Sequence, residues 1–407
     1  MRVIHSSDWH LGHMLRGEVT REHEHQAFLC WLLATCASEA ADVLVMTGDV
    51  FDSATPPASA ERMWFDFLAA ARRALPAMDI VAIAGNHDSP ARLGAPAAVL
   101  RELGVHVVGA LPRTAAGAID LDRVVLEVAG GRALVAAVPF LRPLDSLEED
   151  PLTAVYGEVI EGARARRRAD QALIVMGHLY AAGADAQFLS ERRVSIGGQE
   201  SAPLRLFPPD ISYVALGHIH RAQRVGRETI RYAGAPIALA FDEAKYHHQA
   251  LAIDFAGPEV TEIRSLAIPR AIEILRVPKR GAAPVATVLG ELAALPELGV
   301  PAVPRPFLEV VVALDKPEPK LRALVEAALE AKHARLVYLH VEATGDLAAL
   351  ADRVDLLAGA RRLAELDPRD VFARLWARDH SAVPDPAVLA AFDRLLEEVR
   401  GDREDVS

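Results

Sequence analysis

The sequence has 407 residues, of which 51% are hydrophobic and 25% are charged, and this composition is typical of a globular protein and excludes a disordered chain. Its formal net charge of -12 at pH 7 gives no support to tight nucleic-acid binding by the chain alone, because phosphate contacts require Lys and Arg. The length predicts about two or three domains.

The amino terminus shows no basic leader followed by an apolar segment, and no apolar run is long enough to span a membrane. We therefore expect a soluble, intracellular protein without a membrane partner. The two cysteines, Cys30 and Cys36, point to different faces of one predicted helix, which argues against a disulfide.

Strand-like and helical patterns alternate up to about Phe255, which predicts a layered α/β domain over residues 1–257. Helices are predicted at 21–40, 57–74 and 90–103, the third with Ser89 as its N-cap. The strand candidates that follow are 105–108, 124–128, 133–138, 172–176, 194–196, 213–216 and 251–255.

The pattern changes after Gly257-Pro258. Strands at 271–277, 306–313 and 334–341, with helices at 285–295 and 319–332, predict a small second α/β domain over residues 268–345. Residues 346–407 read as a helical segment, with helix starts at Asp367-Pro368 and Asp385-Pro386.

Five apolar runs each end in residue types that bind metals. In chain order these are Asp8 with His10, Asp49, Asn86 with His87, His178, and His218 with His220. Ligand sites of open α/β sheets lie at the carboxyl ends of strands, so these side chains are expected to meet. Residues i and i+2 of an extended chain face the same side, so each Asp8/His10 and His218/His220 pair can share one centre.

Asn86 and His87 point apart, so the amide can bind metal while the imidazole faces a substrate. Asp49 is the natural bridge between two ions, and the positive charge left over suits a phosphate ester. Mixed imidazole, carboxylate and amide ligands favour Mn, Fe or Zn. Taken singly, Gly-Asp is usually a turn and Gly-His a loop, but five such endings in order favour a dinuclear metal hydrolase.

The histidines outside these motifs are interpreted as structural or exposed, although His13 lies close enough to the first motif to touch substrate. The basic run at 164–168 and the pair Arg192-Arg193 are interpreted as a solvated helix face or loop.

The motifs Asp8-Trp9-His10-Leu11-Gly12, Gly48-Asp49-Val50-Phe51-Asp52, Gly85-Asn86-His87-Asp88, Gly177-His178 and Gly217-His218-Ile219-His220 resemble those of the calcineurin-like metallophosphoesterase superfamily. More closely, residues 4–12 and 215–223 are similar to those of the SbcD family of nuclease subunits, which act with the SbcC ATPase. This resemblance implies a four-layer α/β sandwich, a small capping domain, and a C-terminal helical segment that grips the SbcC coiled coil. It also implies exonuclease and endonuclease action on double- and single-stranded DNA, a homodimer within a heterotetramer, and a cytoplasmic, nucleoid-associated location.

Carried over residue by residue, the resemblance assigns Asp8, His10, Asp49 and His220 to one ion, and Asp49, Asn86, His178 and His218 to the other. The ions are expected to be Mn2+. His87 would stabilise or protonate the leaving oxygen, and Asp52 occupies the place of an acid that orients this histidine in related phosphatases, although some nuclease relatives carry another residue there.

Two alternatives remain open. A phosphatase or small phosphodiesterase of the same superfamily would share every ligand, but protein phosphatases usually carry Arg-Gly where this chain has Ser53-Ala54. A non-catalytic metal scaffold would be expected to have lost ligands, and the sequence retains the whole set.

Overall fold

A computed structural model describes residues 1–142, 145, 150–185, 201–299, 304–344, 368–380 and 383–402. The chain divides into two compact units. One consists of Met1–Val312 with Lys320–His340, and the other of Ala313–Pro319 with Val341–Ser407. The strand predicted at 194–196 and the pair Arg192-Arg193 lie outside the described residues.

The strands of the described chain are, in order, β1 (Arg2–Ser6), β2 (Met14–Leu15), β3 (Val19–Thr20), β4 (Val43–Thr47), β5 (Asp79–Ile83), β6 (Val105–Val108), β7 (Val125–Val128), β8 (Ala133–Ala137), β9 (Ala172–His178), β10 (Tyr213–Gly217), β11 (Gln223–Val225), β12 (Arg227–Tyr232), β13 (Gln249–Ala256), β14 (Glu259–Ala267), β15 (Ile274–Val277), β16 (Ala283–Pro284), β17 (Phe307–Leu314) and β18 (Arg335–Ala343).

The helices are α1 (Glu22–Ser38), α2 (Ala58–Ala74), α3 (Pro90–Gly94), α4 (Ala97–Arg101), α5 (Leu121–Val124), α6 (Pro151–Arg166), α7 (Val285–Ala293), α8 (Leu321–Leu329), α9 (Pro368–His380) and α10 (Pro386–Asp402). Two short 3-10 helices span Leu204–Leu206 and Phe241–Lys245.

Two six-stranded sheets form the centre of the first unit, in the orders β14-β13-β1-β4-β5-β6 and β11-β12-β10-β9-β8-β7. Alternate residues of a strand face opposite sides, and both sides are apolar here. On β4, Val43 and Val45 pack into the core between the sheets, whereas Leu44 and Met46 pack into a second core with Phe28 of α1. Val155 of α6 belongs to the same continuous cluster, which also covers the other face of β8 and β9. The predicted α/β sandwich is therefore confirmed.

Parallel pairing puts the carboxyl ends of the ligand-bearing strands at matching edges of the two sheets. β1 pairs with β4 and β4 with β5 in parallel, and β9 pairs with β10 in parallel. The register aligns Gly217 at the end of β10 with His178 at the end of β9. Consequently, all five predicted motifs follow or close strands that end together.

Several elements differ from the prediction, and α6, β11 and β12 are among those that were not predicted. The helix expected over 90–103 is broken into α3 and α4 around Pro96, because proline lacks the N–H that a continuous helix needs. Val124 closes the helical turn α5 instead of starting a strand. Strand β14 was not predicted and pairs antiparallel with β13, so the first sheet continues past residue 257.

The second α/β region contains all the predicted strands and helices, as β15, β17, β18, α7 and α8. Its sheet runs β15-β17-β16, with β18 beside β17. Inside the first unit, a small apolar cluster joins this sheet to the segment after the first motif and to a loop after the last. Its members are Leu15, Val19, Phe241, Ile272, Phe307 and Val337. The predicted boundaries at 257, 268 and 345 stay a prediction.

The helices α9 and α10 belong to the second unit. The rings of Phe372 and Phe392 stack with their centroids 4.0 Å apart, and Arg369 lies 3.3 Å from Asp393. Leu375 and Leu395 are 45% and 52% exposed. The predicted amphipathic pair thus forms, with part of its apolar surface uncovered within that unit. None of the helices in the described ranges is both long and apolar enough to span a bilayer.

Candidate metal centre

Four of the candidate ligands have a backbone conformation that few non-glycine residues adopt. Asp8, His10, Asp49 and His218 have φ angles of 54°, 47°, 53° and 98°, in the left-handed region that favours glycine. Such strain is usually concentrated at functional sites and persists only where the surrounding structure enforces it. Here the buried strand that ends just before each turn supplies part of that constraint.

Two glycines of the motifs lie where a neighbouring segment comes too close to leave room for a side chain. At Gly85, a Cβ would overlap the carboxylate and amide of Asp49, and at Gly217 it would overlap the carbonyl of Thr47. Each glycine therefore allows ligand segments from different strands to come into contact.

Asp8, His10 and His220 form one group whose ligand atoms all lie within 4.8 Å of one another. The backbone N–H of His218 donates to Asp8 Oδ1 at 2.8 Å. Asp8 Oδ2 and His10 Nε2 are buried and have no hydrogen-bond partner among the described residues. Unsatisfied buried acceptors are rare because they lose their hydration, so these two atoms fit ligands of a cation.

Asp49 lies between this group and a second one. Its Oδ2 is 3.5 Å from His10 Nε2 and 3.4 Å from His178 Nε2, so one carboxylate reaches both groups. Asp8, Asp49 and His178 also form a set of ligand atoms within 4.8 Å. The position of Asp49 is the one that a bridging ligand of two ions would need.

Asn86 brings the second group together. Its Oδ1 is 3.0 Å from His178 Nε2 and 2.9 Å from His218 Nδ1. The Nδ1–H of His178 donates to the carbonyl of Thr47 at 2.9 Å, which leaves Nε2 directed at Asn86 and Asp49. All seven predicted ligands therefore converge on one place.

Asp49 dominates the electrostatics of this cluster. Burial alone would lower the pKa of His178, but the Asp49 carboxylate raises it to about 9. Burial opposes ionisation of Asp49, yet the facing imidazoles, His178 first, hold the pKa of this carboxyl well below its ordinary value. Burial, reinforced by repulsion from His178, lowers the pKa of His218 to about 3. Metal binding at His178 would therefore be coupled to the loss of a proton.

His87 is half-buried and its ring lies 4.8 Å from that of His10. Its Nδ1–H donates to the main-chain carbonyl of Asp52 at 2.8 Å, and its backbone N–H donates to Asp49 Oδ1 at 2.9 Å. Because the carbonyl can only accept, Nδ1 keeps a proton and Nε2 is left for proton exchange or ligation. His87 also belongs to a third possible ligand group, with His10 and Asp49.

The Asp52 side chain does not contact His87 in the way the sequence suggested. Its Oδ1 accepts from His10 Nδ1 at 3.2 Å and from His13 Nδ1 at 2.9 Å. Burial would raise the pKa of Asp52, but these imidazole N–H groups hold it well below the ordinary value. The main chain of Asp52 thus orients His87, while its carboxylate orients His10.

Two buried carboxylates near the ligands were not predicted. Asp88 accepts from the backbone N–H groups of Val50, Phe51 and Gly85 at 2.8–3.1 Å, so it clamps the Asp49 turn to the Asn86 turn. Burial and then repulsion by Asp49 raise the pKa of Asp88. Glu243 accepts from His220 Nδ1 at 2.9 Å. The position of Asp88 beside His87 was a usable signal, whereas nothing in the sequence pattern pointed to Glu243.

Two of the remaining histidines are held by other groups of the protein. His5 is buried between the hydroxyls of Tyr213 and Thr47, at 3.0 and 3.1 Å. Both ring nitrogens of His13 are bonded, to Asp52 and to the carbonyl of Leu239. Three of the four arginines of the basic run pair with the protein's own acids, as in the 2.8 Å contact between Arg166 and Asp122.

Comparison with known proteins gives two family matches. Residues 1–222 match the calcineurin-like phosphoesterase family, and residues 269–380 match the family described as type 5 capsule protein repressor C-terminal domain. The first match covers more than half of the chain and includes every candidate ligand.

Several curated relatives are named as the SbcD component of the nuclease SbcCD. The protein of Rhodobacter capsulatus is 41% identical over 360 residues, which cover 84% of this chain and 87% of the relative. That of Escherichia coli strain K12 is 31% identical over 404 residues, or 93% of each chain. That of Bacillus subtilis strain 168 is 34% identical over 279 residues, which cover 64% of this chain and 68% of the relative. The chain therefore belongs to the SbcD family of calcineurin-like phosphoesterases.

Proposed function

We propose that this chain is a metal-dependent DNA nuclease that hydrolyses phosphodiester bonds as an exonuclease and endonuclease, together with an SbcC-type ATPase. The observation that carries the proposal is the pair of buried, unsatisfied atoms Asp8 Oδ2 and His10 Nε2 in a cluster that Asp49 connects to a second group. The family and its named relatives support the substrate class.

One ion would be held by Asp8, His10, Asp49 and His220, and the other by Asp49, Asn86, His178 and His218. Two divalent ions supply positive charge for the phosphate and an activated water. Mn2+ is the proposed metal, since imidazole, carboxylate and amide ligands together favour Mn, Fe or Zn over Mg or Ca.

The chain's own groups would do the rest. Asp49 joins the two halves of the site, and His87 protonates or stabilises the leaving oxygen through Nε2, because its Nδ1 is engaged with the Asp52 carbonyl. The Asp52 carboxylate keeps His10 in the tautomer that presents Nε2 inward.

Along the chain, the proposal comprises a nuclease domain over residues 1–257, whose first sheet also takes in β14, a capping domain over 268–345 and a partner-binding segment over 346–407. The uncovered apolar side chains of Leu375 and Leu395 support docking of the last segment on a coiled-coil ATPase partner. A homodimer within a heterotetramer, action in DNA recombination, replication and repair, and a cytoplasmic, nucleoid-associated location complete the proposal.

The test compares the wild-type protein with Asp49→Asn. Each is incubated with labelled duplex and single-stranded DNA, with and without Mn2+ and the ATPase, and its metal content is measured by elemental analysis. We expect Asp49→Asn to lose metal and nuclease activity together, because two cations would then repel without the shared anion. Asp66→Asn, on the exposed face of α2, is the control.

Three results would contradict parts of the proposal. Full metal occupancy in Asp49→Asn would remove the bridging role. Hydrolysis of a phosphomonoester without any DNA cleavage would favour a phosphatase. Bound metal without hydrolysis of either substrate, even with the ATPase present, would favour a scaffold.

A further inference from the structure

Glu243 lies next to the candidate metal centre but is not one of the seven assigned ligands. It is buried, and its short helix Phe241–Lys245 is anchored by Phe241 in the apolar cluster with Leu15 and Phe307. Its Oε1 accepts from His220 Nδ1 at 2.9 Å and its Oε2 accepts from the backbone N–H of Leu239 at 2.8 Å. The carboxylate is therefore fixed at both oxygens.

A series of hydrogen bonds, called the arc below, links Glu243 to His10, on the opposite side of the group formed by Asp8, His10 and His220. The Leu239 residue that donates to Glu243 also accepts from His13 Nε2 at 2.9 Å, and His13 Nδ1 contacts Asp52 Oδ1 at 2.9 Å. The same Asp52 oxygen accepts from His10 Nδ1 at 3.2 Å. The arc thus begins on His220 and ends on His10, whose rings lie 5.1 Å apart.

The chemistry of the two imidazoles follows from this arc. A carboxylate can only accept, so His10 and His220 must each carry their proton on Nδ1 and present the Nε2 lone pair inward. A carboxylate partner also makes the imidazole a stronger ligand. By contrast, His178 of the other group donates Nδ1–H to a neutral carbonyl, that of Thr47.

We propose that Glu243 is a positioning residue that sets the affinity of one of the two ions, the one held by His10 and His220, and leaves the other almost unaffected. This inference rests on the proposed ligand assignment. Second-layer partners of ligating histidines typically change metal affinity by about 10- to 100-fold, so that range is expected on neutralising Glu243.

The experiment titrates metal-free Glu243→Gln with Mn2+ by calorimetry and follows the ions by electron paramagnetic resonance. The wild type is expected to bind two ions with a spin-coupled spectrum. Glu243→Gln is expected to bind one ion normally and the other about 10- to 100-fold more weakly, giving a single-ion spectrum at low metal. Glu259→Gln, an exposed residue at the start of β14, is the matched control.

A double mutant separates positioning from general support of the fold. In a His220→Asn background the carboxylate has no ligand to position, so adding Glu243→Gln should not weaken metal binding further. Equal weakening of both ions, or no weakening of either, in Glu243→Gln would overturn the inference.

If Glu243→Gln does not fold, the wild type still gives an answer. The nitrogen NMR spectrum of the metal-free protein must show His220 protonated on Nδ1, and the Nε2–H tautomer would overturn the inference. A wild type that binds no metal would instead refute the proposed function. Two ions in the wild type that respond to Asp49→Asn but not to Glu243→Gln would refute only the role of Glu243.

Discussion

Replacing Asp88 tests the claim that one buried carboxylate holds the two ligand turns together. Its Oδ2 accepts from Val50 N at 3.1 Å and Gly85 N at 2.8 Å, and its Oδ1 accepts from Phe51 N at 2.9 Å. An asparagine has one acceptor oxygen and places an NH2 group opposite a backbone N–H. In Asp88→Asn at least one buried donor is therefore left without a partner.

The magnitude follows from the number of donors. A buried donor without its partner costs about 1–3 kcal/mol, so Asp88→Asn is expected to lower the free energy of unfolding by about that amount. Relief of the repulsion from Asp49 offsets part of the loss. Asp88→Ala leaves all three donors unpaired and should cost at least about 3 kcal/mol, even if water reaches one of them.

Urea unfolding of the metal-free proteins, followed by circular dichroism, measures the difference against Asp66→Asn and Asp66→Ala on the exposed face of α2. Manganese titration of the Asp88→Asn variant should show that both ions bind more weakly, because both the Asp49 and Asn86 turns depend on this clamp. The reasoning is refuted if Asp88→Ala unfolds at the same urea concentration as Asp66→Ala.

Further predictions concern catalysis, acid stability and the partner. His87→Ala should keep both ions by elemental analysis while losing nuclease activity by about 100-fold or more, and loss of the metals would make His87 a ligand. Burial lowers the pKa of His5 to about 3. Below about pH 6.5, His5 is therefore protonated in the unfolded chain but stays neutral in the folded chain. The contribution of His5 to the free energy of unfolding should therefore fall by about 2 kcal/mol between pH 7 and 5. The free energy of unfolding of His5→Gln, measured with urea at each pH, should lack this contribution to its decrease. A chain ending at Gly345 should keep its metals and its manganese-dependent cleavage of test substrates but no longer co-purify with the ATPase. A stable complex would show that the tail is not the docking element.

The parts of the site that could be predicted are those set by local pattern. The apolar runs before Asp8, Asp49 and Asn86 are buried on both faces of their sheet, so their length and ends were readable from the sequence. Parallel strands bring their carboxyl ends to one edge, which is why the motifs converge once the strands are known.

What could not be predicted depends on contacts between segments distant in sequence. Glu243 reaches His220 only because the chain between them returns to the site through irregular backbone and a 3-10 turn that has no periodic pattern. The Asp52 carboxylate faces His10 and His13, and His13 is held in place by the carbonyl of Leu239, which is distant in sequence. Strand β14 mixes half-buried and exposed residues at the sheet edge, so it has no continuous apolar run.

The candidate site combines two features that oppose folding: left-handed backbone at Asp8, His10 and Asp49, and buried ligand atoms that have no hydrogen-bond partner among the described residues. Both are tolerated because each turn follows a buried strand, and because the Asp88 clamp joins the Asp49 turn to the Asn86 turn. When the fold already holds the ligand atoms close together, ions can bind without a large rearrangement of the site. In the proposed site, the carboxylates of Asp52 and Glu243 lie behind the imidazoles of His10 and His220, where they would fix the tautomer without taking up a ligand position.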